Sequence, residues 1–142
     1  MFLGEFVHNL DEKGRLIIPA KFRSHLTDGL VVTRGIDRCL AIYPIDEWEQ
    51  LAEQVSALPM TDRRARAFRR LVFAQASDVI PDKQGRVIIP SNLLEYARIE
   101  DEAVVTGLNT YIEVWSQDSW REERERVERE NANIEEWAAL GI

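Results

Sequence analysis

Two short stretches hold the side chains best suited to chemistry. Asp11-Glu12-Lys13-Gly14-Arg15 precedes Leu-Ile-Ile-Pro, and Asp82-Lys83-Gln84-Gly85-Arg86 precedes Val-Ile-Ile-Pro 71 residues further on. In each, an acid and an arginine stand four apart across a turn-forming glycine, so their side chains can meet. A carboxylate that holds a guanidinium in one plane presents a rigid fork of donors. Such a fork matches guanine O6 and N7, or a phosphate, in a way a point charge does not. Lys13 and Lys83 add positive charge at the turns. A plainer reading stands beside this one: the pair is a surface ion pair that closes a hairpin and contributes little. A duplication copies structural features as well as functional ones, so the double occurrence alone does not choose between them.

The elements that must position these loops are duplicated too. Val31-Val32-Thr33 recurs as Val104-Val105-Thr106, and Leu40–Trp48 is matched by Ile112–Trp120. A spacing near 72 is too long for the common solenoids, so two copies of one small unit are expected. Each reads as β–turn–β–helix–β–turn–β. In the first copy the strands are Glu5–Leu10, Arg15–Ile18, Leu30–Thr33 and Cys39–Tyr43, with a short helix over Ala20–Leu26 started by Pro19. The second copy gives Ala76–Ile80, Arg86–Ile89, Ala103–Leu108 and Tyr111–Trp115, with a helix over Ser91–Ala97. The unbroken Leu16-Ile17-Ile18 run predicts a strand buried on both faces. A unit of this size cannot bury an adequate core alone, so the copies should pack on each other by interleaving hairpins, or pair with other chains.

Two longer helices are expected between the copies. Asp46 could cap one that carries Trp48, Leu51, Ala52 and Val55 on one stripe. Thr61 or Asp62 could cap the next, with Phe68, Leu71 and Val72 inward. The tail from Asp118 to Leu140 reads as one charged helix with sparse apolar positions at Trp120, Val127, Ile134, Trp137 and Leu140. Glu122/Arg126 and Glu125/Arg129 stand in the favourable i,i+4 order.

The net charge of −7 weighs against nucleic-acid binding, but the charge is unevenly spread. Residues 117–142 hold eight acids and four arginines, while residues 61–73 hold five arginines and one acid. A local basic surface can govern contact with phosphates on an acidic molecule. Arg63, Arg66 and Arg70 lie along one helical face as a second possible contact, and Arg69 could pair with acids of a neighbouring helix or subunit. Lys21 and Arg23 are candidate backbone contacts that the second copy replaces with Asn92 and Leu94. His8, His25 and Cys39 form no metal-ligand spacing, and no nucleophile or phosphate-loop motif occurs. No cofactor and no enzymatic activity are expected. The single cysteine fits a reducing compartment. No apolar run reaches membrane-spanning length, and the N-terminal residues do not read as a signal peptide.

The stretches MFLGEFVHNLDEKGRLIIPAKFR and ARAFRRLVFAQASDVIPDKQGRVIIP resemble the two signatures of the MraZ family of bacterial transcriptional regulators. The likeness runs from Met1 to about Trp120, in order and spacing. It implies an α+β fold of tandem swapped-hairpin (double-split) β-barrel halves of SpoVT-AbrB type, with short helices and a C-terminal helix. The copies would span 5–48 and 77–120, joined by a helical linker over 49–76 and followed by a tail over 121–142. The resemblance further implies binding to double-stranded DNA through Asp11, Lys13 and Arg15 and through Asp82, Lys83 and Arg86. In the second loop the lysine stands one position earlier and Gln84 takes the middle. It also implies a ring-shaped homo-oligomer, associated with the nucleoid in the cytoplasm. That oligomer would act on short direct repeats upstream of a division and cell-wall gene cluster. The competing class is a ring-forming structural protein, or an antitoxin-like module that binds a protein.

Overall fold

A computed structural model describes residues 1–130 and 134–141. It is α+β, with every strand pairing antiparallel. The first copy supplies β1 (Phe2–Asn9), β2 (Arg15–Ile17), a 3-10 helix (Ala20–His25), β3 (Leu30–Arg34) and β4 (Leu40–Pro44). Helices α1 (Ile45–Ser56) and α2 (Arg63–Ala74) follow. The second copy supplies β5 (Ser77–Val79), β6 (Arg86–Ile88), α3 (Ser91–Ala97), β7 (Glu102–Asn109) and β8 (Ile112–Ser116). The tail holds α4 (Gln117–Arg129) and α5 (Ile134–Ala138).

The copies exchange strands. One sheet runs β1-β7-β8-β4-β3-β5, and β2 pairs with β6 in a separate two-stranded ribbon. The first strand of each copy therefore lies against the third strand of the other: β1 on β7, and β5 on β3. Equivalent strands also meet each other. Leu16 stands opposite its own counterpart Val87, and Leu40, Ala41 and Ile42 stand opposite Val114, Glu113 and Ile112. These self-matching registers make the molecule a pseudo-twofold built from one chain. Interleaving gives both small units a shared core that neither could bury alone.

Strand alternation assigns the faces. Leu30, Val32, Leu40, Ile42, Val105 and Ile112 point to one side of the large sheet and are fully buried. They meet Leu16 and Val87 of the ribbon, together with Phe22 and Leu93 of the two short helices. The opposite side is covered by α1, α2 and α4. There Tyr43 stacks on Tyr111 at 5.1 Å, Trp48 meets Phe73 edge-on at 5.9 Å, and Trp115 packs on Trp120 at 5.5 Å. Thr33 Oγ1 donates to the Val72 carbonyl at 2.9 Å and ties α2 to β3.

Several local expectations change. β1 begins at Phe2 rather than Glu5, because it is paired along its whole length by β7. α1 starts directly after Pro44, so Asp46 sits in the first turn instead of capping it. There it still favours the helix dipole. Asp62 does cap α2, its Oδ1 accepting from the Arg64 backbone N–H at 2.8 Å. Phe68 is exposed, and Ala65 and Val72 supply the buried face of α2. In the tail, Arg126 pairs with Glu123 and, at 2.9 Å, with Glu130, rather than with Glu122. The single helix expected over 118–140 crosses residues 131–133, which lie outside the described residues, as do Ile142 and the side chain of Ile134.

Candidate nucleic-acid interface

The two D-x-x-x-R loops fold alike, bond for bond. Asp11 Oδ1 accepts the backbone N–H groups of Lys13 and Arg15, each at 2.9 Å, and its Oδ2 accepts Arg15 Nε at 2.7 Å. Asp82 Oδ1 accepts from the N–H groups of Gln84 and Arg86, each at 2.9 Å, and its Oδ2 accepts Arg86 Nε at 2.7 Å. One carboxylate thus shapes the turn with one oxygen and braces the arginine with the other. Gly14 and Gly85 occupy the left-handed region at φ 75° and 77°, where a side chain would be strained. Each turn is also tied to the other copy. Ile89 N–H donates to the Gly14 carbonyl, and Ile18 N–H to the Gly85 carbonyl, both at 2.9 Å.

Both carboxylates are held below the ordinary range. The backbone N–H of Arg15 contributes most to Asp11, ahead of the Arg15 side chain and the Lys13 N–H. The backbone N–H of Arg86 likewise leads for Asp82. The aspartates are therefore ionised throughout the physiological range, and their bracing of the arginines does not switch.

The ribbon brings the arginines together. In the β2–β6 register Arg15 is opposite Ile88 and Ile17 is opposite Arg86. Leu16 and Val87 fill the inward positions, so these four residues share the outward face. Arg15 and Arg86 are diagonal neighbours on it, about 7–8 Å apart at their backbones. Their side chains are 26% and 31% exposed. Among the described residues, Arg15 Nη1 and Nη2 have no acceptor, whereas Arg86 Nη2 donates to Gln84 Oε1 at 3.3 Å. Lys13 and Lys83 are exposed on the turns at the two ends of the ribbon. The two arginines thus share one face of the ribbon, each held by its aspartate, with the lysines on the turns at its ends.

Other predicted contacts are spent on structure. Arg23 donates through Nε to the Ile18 carbonyl at 2.9 Å and lies against Gly85, where a Cβ would meet its guanidinium. Its counterpart Leu94 touches the corresponding position at Gly14. Arg69 donates to the carbonyls of Ser56 and Leu58, at the C-terminal end of α1, instead of pairing with acids. Arg66 donates to the Met60 carbonyl. Arg63, Arg64 and Arg70 remain exposed. Cys39 is fully buried and its thiol is pushed up by that burial, which makes it a core residue. Among the described residues no cluster of His, Cys, Asp or Glu could hold a metal ion, and no helix is long and apolar enough to cross a membrane. The strand expected to be buried on both faces, Leu16-Ile17-Ile18, leaves Ile17 half-buried, and its counterpart Ile88 is 58% exposed on the ribbon between the arginines. Its only sequence signal was its place in the same period-2 register as Arg86.

The fold and loops define a class: a single chain of two interleaved α+β repeats, each presenting an aspartate-braced arginine on a shared ribbon. The family model described as "MraZ protein, putative antitoxin-like" matches residues 1–71 and again 72–140. Proteins named transcriptional regulator MraZ are similar over most of their length. The one from Herpetosiphon aurantiacus is 55% identical over 85% of both chains. Those from Thermomicrobium roseum and Clostridium acetobutylicum are 51% identical over 94% and 48% identical over 100% of both chains. The chain belongs to the MraZ family.

Proposed function

We propose that this chain is a transcriptional regulator that binds double-stranded DNA sequence-specifically and performs no catalysis. Arg15 and Arg86 contact base edges or phosphates, Asp11 and Asp82 hold them in plane, and Lys13 and Lys83 add phosphate contacts. The observation that carries this reading is the shared outward face of the β2–β6 ribbon, where both guanidiniums project from carboxylate braces. A two-stranded ribbon fits the major groove of B-DNA. The relatives' name, transcriptional regulator, supports the same conclusion.

The two repeats, 5–48 and 77–120, act with the 49–76 helices as linker and the 121–142 tail as an appendage. Copies of the chain assemble into a ring in the cytoplasm, at the nucleoid. The ring engages short direct repeats upstream of a division and cell-wall gene cluster, and its weak single contacts add through effective concentration.

The test is a fluorescence-anisotropy titration with DNA from upstream of this chain's own gene, a shuffled control and a single-repeat probe, at two salt concentrations. Tight binding to the native array, weaker on one repeat and weakened by salt, is the expected result. Equal weak binding to native and shuffled probes would instead fit a ring-forming structural protein or an antitoxin-like protein-binding module.

A further inference from the structure

We infer that Ile17 and Ile88 form, between the two arginines, an apolar surface that reads the C5-methyl groups of thymines in the major groove. This rests on the DNA-binding reading above and deepens it, by naming a base type and the residues that select it. The outward face of the ribbon holds four side chains in a rectangle: Arg15 opposite Ile88, and Ile17 opposite Arg86. The isoleucines therefore occupy one diagonal and the arginines the other. Ile88 is 58% exposed and Ile17 half-buried, while their strand neighbours Leu16 and Val87 are 0% and 1% exposed.

One exposed isoleucine needs no explanation. Here two equivalent positions of a pseudo-twofold carry the same branched apolar side chain, each directly opposite a braced cation. An apolar protein surface that covered them would also have to desolvate two guanidiniums without supplying acceptors, which is costly. The major groove offers both chemistries side by side. Purine N7 and guanine O6 accept from arginine, and the thymine methyl is the apolar group at the groove edge. The 7–8 Å diagonal covers about two base steps of about 3.4 Å each. One ribbon can therefore meet purine edges and thymine methyls within the same short site.

The experiment compares the full-length protein on upstream DNA made with thymine and with deoxyuridine, which lacks only the methyl. Wild type should bind the deoxyuridine probe about fourfold more weakly for each methyl lost. Ile17→Ala/Ile88→Ala should bind thymine DNA more weakly than wild type and treat the two probes alike within about twofold. Its melting temperature and assembly state check that the fold is kept, and the wild-type comparison stands without any variant. Equal wild-type affinity for both probes overturns the inference and leaves the regulator reading intact. A doubly substituted protein that keeps the full thymine preference also overturns it, because the methyls are then read elsewhere. No preference for the thymine upstream DNA over its shuffled control removes the regulator reading, and this inference with it.

Discussion

The first and second loops share a skeleton and differ in their electrical setting. Both have the same five internal hydrogen bonds, a glycine near φ 75° and an Nε–Oδ2 bond of 2.7 Å. The first carries Asp, Glu, Lys and Arg, and so no net charge. The second carries Asp, Lys and Arg, a net +1. Beneath the first lies Leu94, and beneath the second lies the cation of Arg23. Among the described residues Arg15 Nη1 and Nη2 have no acceptor, while Arg86 shares one Nη with Gln84. Duplication thus preserved what holds an arginine in plane, while the groups that tune its field and its free donors diverged. On the DNA-binding reading proposed above, the first loop would serve bidentate base contact and the second phosphate attraction.

The largest test of this contrast removes the forks. Arg15→Ala and Arg86→Ala should each weaken specific binding by roughly 5- to 150-fold, and the double variant should lose discrimination between native and shuffled DNA, with melting temperature unchanged. Arg15→Ala should relax base preference more than Arg86→Ala, as read by titrating single-base variants of the site. Equal relaxation would erase the proposed division of labour.

Next come the glycines. Gly14→Ala should cost about 1–2 kcal/mol for its left-handed backbone. Gly85→Ala should cost more, since its Cβ must also displace Arg23, an overpacking of about 1–3 kcal/mol. Urea unfolding measures both, and adding Arg23→Leu should remove the excess at Gly85. A smaller effect is expected for Lys83→Ala, which should lower the salt slope of binding by about one while leaving sequence preference alone.

The smallest effect is in acid. The folded pKa values of Asp11 and Asp82 are depressed, so their contribution to stability is present above the ordinary carboxylate value and is lost as pH falls through the depressed ones. Asp11→Asn and Asp82→Asn should therefore flatten the acid limb of a urea-midpoint-against-pH curve by similar amounts, because the bracing is the feature the loops share. Unequal flattening would place the divergence in the brace as well as in its surroundings.

Much of this was legible in the residues because it is local. The repeat, its strand order, the Pro-started helix over Ser91–Ala97, the Asp62 cap and the meeting of Asp with Arg across a glycine turn depend on neighbours within a few positions. Local backbone preference and side-chain reach settle such features. The exchange of β1 and β5 between copies, the pairing of β2 with β6, the exposure of Ile88 and the diversion of Arg23 and Arg69 to backbone carbonyls were decided only in the folded chain. The apolar Leu16-Ile17-Ile18 run reads as buried on both faces. It is half exposed here because a two-stranded ribbon has one covered side, and which side a strand covers depends on a partner some 70 residues away.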